Sequence, residues 1–423
     1  MGTPKPFNEY FLADKLIAAY KAGEISEEEI NKHVKRILNV LFQVKAINGK
    51  NRVEGSLATE AHYKDAYDIA AESVVLLKNE NNLLPLNKET RNMYVVGPNA
   101  ANEEVLLGNY FGLSSYTQTI LDGIVSKVSP GTTINYKSGI LPFRENVNPM
   151  DWSTGEASQA DVCIAVMGIS ALLEGEEGEA IASSEKGDRA DIKLPQNQID
   201  YIKKIKSLSD KPLVLVLTGG SPIALPELHD LVEAILFVWY PGEEGGNAVA
   251  DVLFGDVPPS GKLPITFPKS IDQLPPYEDY NMKGRTYKYM TEEPQYPFGF
   301  GLTYTTFEYT NLSIDENYKT TVSVTNSGNI DSEEVVQLYI SSPLAGKEDP
   351  IYDLKAFKRI FVKAGETKNV SFNLSKDTFN QFNNEGEEVI RNGEYTVYVN
   401  GTLPSKRSEE LGGSKAIKTI VTF

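Results

Sequence analysis

The chain reads as an α/β domain followed by an all-β domain, and three patterns carry that reading. Residues 93–97, 162–168, 213–219 and 235–242 are near-continuous apolar runs ending at or near glycine. Runs of that kind fit strands buried on both faces of a largely parallel sheet. Helical stretches lie between them. Beyond about residue 306 the pattern changes to short alternating strands punctuated by turn residues, which fits an immunoglobulin-like or fibronectin type III-like β-sandwich. The expected organisation is a helical segment within 1–59, an α/β sandwich domain over 60–268, an ordered connector over 269–305 and the β-sandwich over 306–423.

In chain order, the first element is a helical hairpin. Ser26-Glu27-Glu28-Glu29 has the form of a capping box. After it, Ile30, Val34, Ile37, Leu38, Leu41 and Phe42 recur at helical spacing. An earlier helix, near Tyr10 to Lys21 and ending at Gly23, is too short to cover that stripe, which predicts a larger partner surface. Helices are expected over Tyr67 to Leu77, Gln196 to Leu208 and Gly246 to Leu253. The last opens from the glycine-rich turn 241–246, which lacks the Gly-Lys-Ser/Thr ending of a phosphate loop. Helix-start geometry explains it better, with glycine letting the backbone approach the sheet. Residues 256–305 are rich in proline, glycine and aromatic side chains, as in an ordered connector. Strands are then expected near 320–325, 335–340, 357–362, 370–374 and 395–399, in a set of about seven.

With 58 acidic against 41 basic residues, the net charge of −17 argues against nucleic acid and anionic membranes as partners. It favours a neutral ligand such as a sugar. The single Cys163 lies inside an apolar run and reads as a core residue. His33, His62 and His229 have no metal-ligand spacing, so neither metal nor cofactor is expected. No apolar stretch approaches the roughly 18 residues that span a bilayer. The first residues lack the basic-then-apolar pattern of a signal peptide.

The chemistry is concentrated in residues 173–179, where Glu174, Glu176, Glu177 and Glu179 crowd onto a glycine-containing loop beyond the apolar run 162–168. Such sheets bind ligands beyond the carboxyl ends of their strands. Crowded like charges raise one another's pKa, so one carboxyl can stay protonated near neutrality and act as an acid. A solvated acidic loop and a calcium site are the other readings. Asp188-Arg189 answers the loop and is expected to fix it through a charge-assisted bond. Arg285, Tyr287, Tyr289 and Tyr296 either border a sugar site or a subunit contact, or pack the connector. Trp239 reads as a core residue at a strand end.

Ala71 to Asn79 with Leu83 to Leu86, Gly108 to Gly112, Tyr240 to Gly246, Gly255 to Phe267, Gly284 to Tyr287, and Tyr296 to Leu302 follow one another as an ordered set of motifs. Together they resemble glycoside hydrolase family 3, the β-glucosidase and β-xylosidase family. The resemblance runs over essentially the whole chain. It implies a retaining, exo-acting β-glycosidase whose general acid/base is Glu176, the glutamate after glycine, with Glu174 as runner-up. Arg285 and Tyr296 are the candidate substrate-binding residues on the sugar-site reading. Such enzymes usually begin with a (β/α)8 barrel carrying the nucleophilic aspartate in a Ser-Asp-Trp type motif. Residues 1–59 resemble the closing helices of that barrel and its linker, and most of the barrel is missing. Asp151-Trp152 lies in an unrelated place and is not assigned that role. The implied partners are a β-linked oligosaccharide or an aryl or alkyl glycoside, and the barrel as a missing domain or a separate chain. A homodimer is a further expectation. Alone, the chain is expected to be inactive. The alternatives are a non-catalytic carbohydrate-binding or assembly module and one chain of a split enzyme.

Overall fold

The computed structural model describes residues 13–44, 55–108, 111–148, 150–174 and 189–423. Residues 1–57 and 58–423 form two separate compact units. In the first, α1 (Ala13–Lys21) turns at Gly23, whose φ of +74° suits a residue without Cβ, into α2 (Glu27–Gln43). Ser26 caps α2 by accepting the Glu29 N–H at 3.1 Å, the first half of the expected box. Neither helix has a buried residue, and Ile37 and Phe42 of the apolar stripe are 63% and 51% exposed.

The second unit opens with α3 (Glu60–Ser73), capped by Thr59, and passes directly into β1 (Val75–Asn79). The helix expected over Tyr67 to Leu77 therefore ends early. Val74 to Leu77 are almost wholly buried, and from the β-branched Val75 on the chain is taken into the sheet. There follow β2 (Asn92–Val96), α4 (Glu104–Leu107), α5 (Ile120–Lys127), β3 (Thr133–Lys137), α6 (Ser153–Ala157), β4 (Val162–Gly168), α7 (Gln196–Leu208), β5 (Leu213–Thr218), β6 (Ala234–Trp239) and α8 (Gly245–Phe254).

These strands form one sheet in the order β1-β6-β5-β4-β2-β3, parallel except for β1. The four expected strands are its centre. The edge strands β1 and β3 went unrecognised, β3 because its mixed, half-exposed pattern carries little apolar signal. Alternate residues face opposite layers. Tyr94, Val96, Cys163, Ala165 and Met167 pack with α6 and α7, while Met93, Val95, Ile164 and Val166 pack with α5 and α8. The glycine-rich turn before α8 does bring backbones together, but against α5 rather than the sheet. A Cβ at Gly246 would stand 2.0 Å from the Thr119 carbonyl oxygen.

A connector containing α9 (Thr286–Tyr289) leads to the sandwich. Its strands are β7 (Phe307–Ile314), β8 (Lys319–Asn326), β9 (Ser332–Ser341), β10 (Asp353–Val362), β11 (Thr367–Asn373), the short ribbon β12 (Gln381–Phe382) and β13 (Glu388–Val389), β14 (Glu394–Asn400) and β15 (Ile417–Thr422), with α10 (Lys406–Glu410) before the last. A four-stranded sheet β10-β9-β14-β15 faces a three-stranded sheet β11-β8-β7. Inward residues such as Val322, Val324, Val336, Leu338, Val397 and Val399 close the core between them.

Candidate active site

The parallel strands end together, and the order reverses between β2 and β4, where α/β sheets open a crevice at their carboxyl ends. Three glycines make those ends. Gly97, Gly168 and Gly219 have φ of +110°, +125° and +157°. A Cβ at Gly97 would lie 2.0 Å from the Val166 oxygen, and one at Gly168 would lie 2.1 Å from the Thr218 oxygen. Only glycine lets these chains turn out while touching the neighbouring strand. Gln198 of α7 holds the β4 exit by accepting the Gly168 N–H at 2.9 Å and donating to the Gly168 oxygen at 2.8 Å.

Glu174 follows six residues beyond β4 and is tied to the ends of β5 and β6. Its Oε2 accepts the Tyr240 hydroxyl and the Gly220 N–H at 3.2 Å, and its Oε1 accepts the Ser221 hydroxyl. Ser221 in turn accepts from the Arg189 guanidinium at 3.1 Å, whose other arm donates to the Lys193 carbonyl at 2.9 Å. Burial, and then the bond to Glu174, push the Tyr240 phenol well above its ordinary range. Burial lowers the Arg189 guanidinium, with Glu174 opposing. Trp239 at the end of β6 has φ +58°, packs edge-on against Phe237 and donates its indole N–H to Ser73.

Of the sequence-derived site residues, Glu176, Glu177, Glu179 and Asp188 lie outside the described residues. Glu174 is within them, and its carboxylate serves as an anchor for the loop stem. The aromatic and arginine expectations resolve toward packing. Tyr296 is fully buried, with its hydroxyl 2.6 Å from His229 Nδ1 and its ring beside Phe267 and Phe300, so it presents nothing to a sugar. Arg285 spends its guanidinium on the carbonyls of Pro276, Asp279 and Asn281, stitching its own connector. Tyr287 stacks on Phe298 at 4.2 Å and accepts the Leu354 N–H, joining connector to sandwich. Cys163 is buried, and burial pushes its thiol up to about 12. Asp151 caps α6. Burial opposes its charge, yet bonds from Lys204, Thr154 and Ser153 hold it well below the usual carboxylate range.

Sequence reasoning gave Ser221 and Gly220 no role, their only signal being their place just after the run 213–219, and it met Tyr240 only as the head of the motif Tyr240 to Gly246, not as a partner of Glu174. A cleft of about 670 Å³ opens at the opposite end of the sheet, lined by Lys78, Asn79, Lys262, Glu334 and Gly401. Asn79 pairs with Ala234, the first residue of β6, so this cleft sits at the amino ends of the parallel strands and away from Glu174.

The doubly wound sheet with its half-buried polar network at the carboxyl ends, and the fibronectin-like sandwich after it, both match known families. Residues 74–304 match the glycosyl hydrolase family 3 C-terminal domain, and residues 334–402 match a fibronectin type III-like domain. The chain belongs to glycosyl hydrolase family 3. It is 33% identical to a periplasmic β-glucosidase of Salmonella typhimurium over 92% of its own length and 56% of the relative's. It is 38% identical to a β-xylosidase of Formosa agariphila over 81% of its length and 48% of the relative's. A crystal structure of a β-glucosidase mutant from Listeria innocua with laminaribiose superposes with a TM-score of 0.78 at 28% identity, covering 96% of this chain and 56% of that one. The chain thus spans about half the length of the relatives it matches.

Proposed function

We propose that this chain supplies the acid/base part of a retaining, exo-acting β-glycosidase that removes terminal β-linked glucose or xylose, with Glu176 as the acid/base. In the first step the Glu176 carboxyl gives its proton to the glycosidic oxygen while a carboxylate from a barrel domain attacks the anomeric carbon. In the second, the Glu176 carboxylate takes a proton from the water that releases the sugar. The nucleophile comes from sequence beyond these residues, as a fused domain or a separate chain, so the chain alone has negligible turnover.

The observation that carries the reading is that Glu174 and Arg189, the described residues on either side of 175–188, are tied to the turn after β5, with Glu174 tied also, through Tyr240, to the end of β6. Both Glu174 oxygens already accept bonds from the chain itself, which supports choosing Glu176 over Glu174. The names of the relatives support a β-glucoside or β-xyloside as substrate.

The test is hydrolysis of aryl β-glucosides and β-xylosides by the chain alone and with the barrel supplied. Glu176→Gln is expected to lower turnover by about 10²–10⁴ with the barrel present, and less for aglycones that leave without protonation. Ordinary turnover by the chain alone would overturn the divided site, and an unaffected Glu176→Gln enzyme would overturn the assignment.

A further inference from the structure

We propose that the cleft between the α/β domain and the sandwich, at the amino ends of the parallel strands, binds a neutral, hydroxyl-rich ligand the size of a mono- or disaccharide. The site lies at the opposite end of the sheet from Glu174 and stands independently of the acid/base reading of Glu176.

Its volume of about 670 Å³ falls within the range of small-molecule sites, which favour domain interfaces. Both domains build its walls, Lys78 of β1 and Lys262 from one side, Glu334 of β9 and Thr402 from the other. The charges of the lining balance, with Lys78, Lys262 and Lys415 against Glu80, Glu334 and Glu410, in a chain whose net charge is −17. Threonine and serine hydroxyls fill much of the remaining wall. Within the cleft, Lys262 donates to the Gly301 carbonyl at 2.7 Å and stands 3.3 Å from Glu334 Oε1. Glu334, Tyr309 and Asn400 are each more than nine-tenths buried, yet Glu334 Oε1, the Tyr309 hydroxyl and Asn400 Oδ1 lack an aligned hydrogen bond. Two of these atoms converge on Gly401, a residue of the lining, where a Cβ would lie 2.1 Å from Glu334 Oε1 and 2.9 Å from the Tyr309 hydroxyl. Buried polar atoms are rarely left unpaired, so three beside one cleft point to a polar ligand. A metal cation would be repelled by Lys262, and an anion by the desolvated Glu334 carboxylate. A hydroxyl suits both, because it donates to the carboxylate and accepts from the ammonium. Several hydroxyls on one small neutral frame are the chemistry of a sugar.

Calorimetric titration of the intact chain with glucose, xylose and cellobiose tests the site, and millimolar affinity is expected for ligands of this size. Thr306 is exposed at the rim, so Thr306→Trp obstructs the cleft without disturbing its buried groups and is expected to abolish binding with no change in melting temperature. Glu334→Gln removes the charged acceptor and is expected to weaken binding about tenfold. The rim variant decides the matter should Glu334→Gln fail to fold. Glu174→Ala, at the carboxyl ends, is expected to leave the affinity unchanged. No binding of any of the three sugars would overturn the proposal, as would undiminished binding by Thr306→Trp. Binding lost in Glu174→Ala and kept in Thr306→Trp would put the sugar in the crevice at the carboxyl ends and overturn it equally. Tighter binding of glucuronate or glucosamine than of glucose would refute the neutral class.

Discussion

Two glutamates at opposite ends of one sheet are held in different ways. Glu174, half-buried at the carboxyl ends, accepts from three neutral donors of the surrounding turns, with Arg189 one hydroxyl away. Glu334 of β9, buried where the sandwich meets the amino ends of the strands, faces Lys262 at 3.3 Å, and its Oε1 has no aligned hydrogen bond. Burial raises the Glu334 carboxyl above its ordinary value of 4.5, against the pull of Lys262 and Tyr309. Gly401 supplies the space, since a Cβ there would lie 2.1 Å from Glu334 Oε1. The first arrangement fixes geometry with many modest bonds at an exit from the sheet. The second joins two domains through one desolvated charge pair, which makes it sensitive to pH.

That contrast can be broken at several points. The largest effect is expected from Gly168→Ala, whose methyl must displace the Thr218 carbonyl at the base of the carboxyl end. Stability falls by about 4 kcal/mol in urea unfolding, and the exit of β4 loses its shape. Lys262→Met leaves Glu334 without its cation and costs about 3 kcal/mol at pH 8. The sign with pH follows from the raised folded value. Stability tied to Glu334 is fully present below the unfolded carboxylate pKa and is lost as pH rises through the folded one. The penalty of Lys262→Met therefore shrinks toward pH 5, and Glu334→Gln flattens the stability-versus-pH profile over the same window. A pH-independent penalty would mean that Glu334 does not titrate at that interface.

Glu174→Ala removes the acceptor of three donors and is expected to cost about 2 kcal/mol, read from urea unfolding. Tyr240→Phe deletes one of those donors and costs about 1 kcal/mol, read from the shift in the denaturation midpoint. Equal effects of the two substitutions would show that the tyrosine bond carries the whole network.

The central strands, α7, α8 and the five sandwich strands β8, β9, β10, β11 and β14 were legible because each is long, apolar and periodic. The missed edge strand β3 shows the limit, since its residues alternate only between exposed and half-exposed. At Val74 to Leu77, helical continuity and sheet propensity competed, and burial against β6 and Leu302 decided for the strand. The acidic loop was legible as a cluster. Its anchors Ser221 and Tyr240 lie 47 and 66 residues from Glu174, and no local pattern announces such pairs. Tyr296 and Arg285 looked like binding residues because the same side chains that stack and fork on ligands also fill cores and stitch loops.

The sequence by itself determined the two-domain α/β and β-sandwich frame, the family, and the concentration of carboxylates after the fourth strand. Those properties reside in local periodicity and in ordered motifs, which a linear chain displays directly. Only the tertiary structure decided which glutamate is an anchor, which tyrosine is core and which serine bonds both Glu174 and Arg189. Hydrogen bonding and desolvation depend on which groups the folded sheet brings within about 3 Å, and contact across the ends of separate strands is not written in any one segment.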